Sequence, residues 1–96
     1  MTINPTVALI RDRLTESLQA LELTIEDDSA AHAGHAGARQ GGGHFRVRIV
    51  TQLFANKPLV ARHRMVYHPL ADLMKRDIHA LTIEAFTPGE VNALSS

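Results

Sequence analysis

The chain reads as an α+β domain of order αββααβα, with a three-stranded sheet covered by helices. Three observations predict it. Val7, Ile10, Leu14, Leu18 and Leu21 recur at helical spacing near the start. Three later segments alternate apolar and polar residues with a period of two, which marks strands with one wet face. Between the second and third of these lies a helical stretch broken by His68-Pro69, and runs of strands and helices in this order make an α+β arrangement.

Each element has a local cause. Asn4-Pro5 reads as N-cap and first helical position, since proline has no N–H to lose there, and the first helix is predicted to reach about residue 20. Leu21, Leu23 and Ile25 then alternate with Glu22, Thr24 and Glu26 as a first strand. The stretch from about 29 to 43 holds Ala, Gly, His and Ser without periodicity and ends in Gly41-Gly42-Gly43, so it is predicted to be a flexible loop closing a long hairpin. Phe45, Val47 and Ile49 face one way in the second strand, and His44, Arg46 and Arg48 the other. Pro58 can open a helix whose stripe is Leu59, His63, Val66 and Leu70. Proline disfavours helical geometry at His68, so two helices are predicted, about 57 to 67 and 69 to 76, the second burying Leu70, Leu73 and Met74. Leu81, Ile83 and Ala85 alternate with Thr82 and Glu84 as a third strand, and Thr87-Pro88-Gly89-Glu90 has the form of a capping box before a last helix.

Ninety-six residues suit one domain, with a core over about 7 to 92. At this size only somewhat more than about 60% of the unfolded surface is buried, so every apolar face is needed. The chain has no cysteine, which excludes disulfides, cysteine-based zinc fingers and a thiol nucleophile, and leaves imidazole and carboxylate as metal donors. With no apolar run of about 18 residues and no basic-then-apolar leader, the cytoplasm is the expected compartment. The zero net charge hides an asymmetry: residues 1 to 28 set Arg11 and Arg13 against six acids, a sum of −4, while residues 39 to 64 hold six basic residues and no acid. That basic segment is expected to form a patch for phosphate or an acidic partner.

Six histidines are the constellation to weigh. His32-Ala-Gly-His35 could present two imidazoles to a metal, but a zinc site needs about four donors, and on spacing alone the pair reads as solvated. His79 by itself reads as a histidine packed at a helix-to-strand junction near Asp77, His63 as a boundary histidine, His68 as capping the helix turn and His44 as starting its strand. Gly34-His35-Ala36-Gly37 has the letters of a KH-type GXXG clamp, but lies between strands instead of between helices, and reads as coincidence. Arg62, Arg64, Lys75 and Arg76 on paired helices suggest a helix-turn-helix, though the turn holds proline and not glycine. Nothing resembles a nucleophile elbow, a phosphate loop or a tuned carboxylate pair, so a non-enzyme is expected.

Four blocks in order carry a family resemblance: His44-Phe45-Arg46-Val47-Arg48-Ile49-Val50, Arg62-His63-Arg64-Met65-Val66-Tyr67, Ile78-His79-Ala80-Leu81 and Thr87-Pro88-Gly89-Glu90. Over residues 7 to 92 the chain resembles the BolA family, in its histidine-loop subgroup. The resemblance implies a KH-like (class II) fold and an adaptor that forms a heterodimer with a monothiol glutaredoxin and shares a [2Fe–2S] cluster with it. By the same carry-over, His79 and a hairpin-loop histidine are cluster ligands; His32 matches the loop position best, with His35 as the alternate. The partner's cysteine and glutathione would supply the thiolates. Imidazole in place of thiolate raises a cluster's potential and makes it sensitive to protons. The alternative is a nucleic-acid-binding transcriptional regulator using segment 39–64, with Arg46, Arg48, Arg62 and Arg64 as partner or nucleic-acid contacts. Homodimerisation, or zinc capture by the histidine loop, is a weaker third option.

Overall fold

The computed structural model of the protein describes residues 5–28 and 43–95. Its elements are α1 (Pro5–Leu18), β1 (Glu22–Asp27), β2 (Gly43–Val50), a 3-10 turn (Gln52–Phe54), α2 (Leu59–Tyr67), a second 3-10 turn (His68–Leu70), α3 (Ala71–Arg76), β3 (Ile78–Phe86) and α4 (Pro88–Ser95). The sheet order is β1-β2-β3, with β1 antiparallel and β3 parallel to the central β2. This is the αββααβα order read from the sequence. The expected N-cap Asn4 and the loop histidines His32 and His35 lie outside the described residues.

Register explains the two faces of the sheet. Val47 stands opposite Ile25 on one side and Ile83 on the other, and Ile49 opposite Leu23 and Ala85. Because side chains alternate along a strand, this row faces the helices, where Ile10, Leu14, Leu18, Phe54, Val66, Leu70 and Leu73 complete one buried cluster. The intervening row, with Thr24, Arg48 and Glu84 in register, is exposed.

Two helical expectations need correction. The first helix stops at Leu18, not near 20, because Gln19 adopts φ 51°, a left-handed geometry that ends a helix. Leu21 therefore leaves the helical face and is 62% exposed. The buried Thr51 hydroxyl donates to the Leu18 carbonyl at 2.7 Å and accepts from the Leu53 N–H, tying the end of α1 to the chain leaving β2. In α2 the expected stripe is displaced: Leu59 is 65% exposed and His63 half-buried, while Val66 and Arg62 face inward. Pro58, in extended geometry, precedes the helix. The second helical segment does bury Leu70 and Leu73, with Met74 half-buried.

Candidate functional site

The start of β3 departs from regular pairing. Gly43 pairs with Ile78, but His44 pairs with Ala80, so His79 is the extra residue of a β-bulge. A bulge re-aims the side chains around it. Here it turns Ile78 into the core at 2% exposure and leaves His79 exposed, beside half-buried His44. The two imidazole centroids lie 5.1 Å apart with planes tilted by 50°. Backbone bonds hold this end of the sheet: the Gly43 N–H donates to the Asp77 carbonyl at 2.9 Å, and the Asp28 N–H to the His44 carbonyl at 2.7 Å. His79 is thus presented to solvent, not packed at a junction.

The four arginines do not gather. Arg46 and Arg48 lie on the exposed face of β2, where Arg46 stands opposite Glu26 and pairs with Asp28 at 3.9 Å, and Arg48 lies over the Phe86 ring at 5.4 Å. Arg64 is exposed on α2, beside a groove formed with Ser17, Met65 and Pro69. Arg62, expected as a partner or nucleic-acid contact, is instead 8% exposed and turned into the domain. Its Nε donates to the Lys57 carbonyl at 2.8 Å, its Nη1 to the Ala85 carbonyl at 3.1 Å, and both terminal nitrogens to Glu90, at 2.6 and 3.0 Å. Five fixed donors allow a guanidinium to be buried when acceptors surround it, and these do. Glu90 also completes the expected capping box, accepting from the Thr87 N–H while its own N–H donates to the Thr87 hydroxyl. The hydrogen bonds from Arg62 first, and then from the Thr87 amide, hold the Glu90 carboxyl down at about 2.

The remaining histidines fall largely as read. His63 is at the boundary, and His68 enters the 3-10 turn with its N–H bonded to the Arg64 carbonyl. The sequence reading missed His44 as a neighbour of His79, and Arg62 as the partner of Glu90. The available signal was that both histidines lead strands, and strands paired in parallel bring their starts together.

The family model described as "BolA-like protein" matches residues 14–90. The chain belongs to the BolA family. SufE-like protein 1, chloroplastic/mitochondrial, of Arabidopsis thaliana is 47% identical over 87 residues, covering 85% of this chain and 24% of that one. The solved BolA domain of SufE1 from the same plant superposes with a TM-score of 0.82 at 43% identity, covering 93% of this chain and 99% of that one. A protein of Escherichia coli K12 named DNA-binding transcriptional regulator BolA is 33% identical over 90 residues, 90% of this chain and 83% of that one. The chain spans between 24% and 62% of the length of several curated relatives. Among the described residues no helix is long and apolar enough to cross a membrane.

Proposed function

We propose that this BolA-family chain is a non-catalytic iron–sulfur adaptor, which pairs with a monothiol glutaredoxin and co-ligates a [2Fe–2S] cluster as its cargo. His79 is the ligand this chain offers from the sheet, with His32, or His35 as the alternate, from the segment between β1 and β2. The observation that carries the reading is the bulge that exposes His79 at the end of the sheet. The donor chemistry agrees with it. Imidazole is a known replacement for thiolate on cluster iron, and a chain without cysteine must obtain its sulfur ligands from a partner and from glutathione.

The test is reconstitution with iron, sulfide and glutathione, followed by the visible and circular dichroism spectra. The chain alone should remain colourless. With a monothiol glutaredoxin it should give a mixed cluster whose spectrum differs from that of the glutaredoxin homodimer. His79→Ala should abolish that difference, and His32→Ala should change the spectrum while the metal-free heterodimer still forms. An unchanged mixed spectrum in both variants would remove histidine ligation from the proposal.

A regulatory reading, DNA binding, is favoured by the name of the Escherichia coli relative. Burial of Arg62 weakens it, leaving Arg46 and Arg48 as the adjacent cations on the open sheet face. Binding through two phosphate contacts predicts a slope of log K against log salt of about −2. A slope near −4 at measurable physiological-salt affinity would favour the regulator.

A further inference from the structure

We infer that His44 and His79 together form an open two-imidazole site for a divalent transition-metal ion of the zinc or copper type, present in this chain without any partner. The inference shares His79 with the adaptor reading but does not rest on it.

Geometry and strand register both point to this site. Two imidazoles bound to one tetrahedral ion at about 2.0 Å per nitrogen have ring centres about 5 Å apart. The His44 and His79 centroids are 5.1 Å apart and tilted, not stacked. The bulge supplies the second argument. In an unbroken β3, Ile78 would share a face with Ala80, and His79 would point to the opposite face from the one His44 occupies. The single register shift between Gly43 and His44 sends Ile78 into the core and leaves His79 beside His44. One backbone irregularity thus both fills the core and pairs two borderline nitrogen donors, which suit zinc, copper, iron and nickel.

Among the described residues no third histidine, cysteine or carboxylate joins the pair to make a closed set of donors. Counted over the described residues, the pair supplies two of the four donors of a bound ion and leaves the other two to water or to an incoming donor, which suits exchange more than structural support. A partner thiolate could displace water there, and an ion already seated would compete with any other use of His79.

The test uses the full chain carrying His32→Ala and His35→Ala, so that the neighbouring histidine pair does not contribute. Zinc(II) is titrated calorimetrically, and the imidazole signals are followed by NMR. The expected result is one ion per chain, with the His44 and His79 signals moving together and those of His63 and His68 unaffected. Losing only outer-shell support costs a metal site about 10- to 100-fold, so His44→Asn and His79→Asn should each weaken binding by at least about tenfold. A thermal melt accompanies each variant, and the NMR mapping in the unsubstituted host decides the matter if a variant unfolds. Binding that is absent, or that survives His44→Asn unchanged in a folded protein, overturns the inference. Cluster assembly with glutaredoxin is measured separately on His44→Asn alone. Zinc binding can fail with mixed-cluster assembly intact, or persist when no mixed cluster forms, so the two readings fail independently.

Discussion

The two ends of β3 treat polar side chains in opposite ways. At its C-terminal end Ala85, Phe86 and Thr87 meet Arg62 and Glu90, and the guanidinium is buried under two backbone carbonyls and a carboxylate. At its N-terminal end the bulge leaves the imidazole of His79 in solvent beside His44. The first arrangement joins the ends of β3 and α4 to α2 and is rigidified by saturation. The second spends one residue of regular pairing on exposing a donor. A strand whose distal end is pinned can hold such an irregularity without losing register, and a donor kept accessible there contributes little to folding.

This contrast predicts a separation of phenotypes. Arg62→Ala should cost about 2–3 kcal/mol, because it strands the Lys57 and Ala85 carbonyls and leaves a cavity beside Phe54. For a domain of this size that is a fall in Tm of about 10–20 °C. His79→Ala should change stability by less than about 0.5 kcal/mol while removing the ligand that the proposed function assigns to this end of the strand. Urea melts of the two variants side by side would break the comparison if their costs were similar.

Acid should act on the locked end next. Glu90, held at about 2 against its ordinary 4.5, binds fewer protons in the native state than when unfolded, so its contribution is complete above about pH 4.5 and is lost as pH falls towards 2. The Asp72 carboxylate, lowered by its hydrogen bond from Arg13, adds a loss in the same direction. Glu90→Gln should flatten the stability profile across that window, and a profile as steep as that of the parent chain would show the lock to be a minor contributor.

Smaller effects sharpen the picture. Thr87→Ala removes the hydroxyl half of the capping box and should cost about 1 kcal/mol, leaving the Arg62–Glu90 pair in place. Gln19→Gly relieves a left-handed residue at the end of α1 and should be neutral to stabilising, by at most about 1 kcal/mol, in the same melts. A clear loss on Gln19→Gly would mean that the Gln19 side chain holds the turn.

Much of this was legible locally. Periods of 2 and 3.6, a proline after His68 and the Thr87-to-Glu90 box are properties of a few consecutive residues, and they set the order αββααβα before any packing is known. The absence of cysteine likewise restricted any metal chemistry to imidazole and carboxylate. The end of the first helix is not legible locally, because a left-handed Gln19 has no signal comparable to glycine at a helix end. Helical spacing puts Leu59 and His63 on the inner stripe, but it carries no sign that Arg62 finds acceptors for its donors on Lys57, Ala85 and Glu90, up to 28 residues away.

By itself, then, the sequence determined the element types, their order, the capping of α4 and the donor atoms open to metal binding, all consequences of short-range geometry and composition. Tertiary structure alone decided that Arg62 lies inside while Arg46 and Arg48 lie on the open sheet face, so that neighbours in a basic run part company in the fold. It also decided that His44 meets His79. That contact depends on the parallel register of β2 and β3 and on a one-residue bulge within it, and register is settled by which rows of side chains the core can bury, a choice involving residues 35 positions apart that no local pattern encodes.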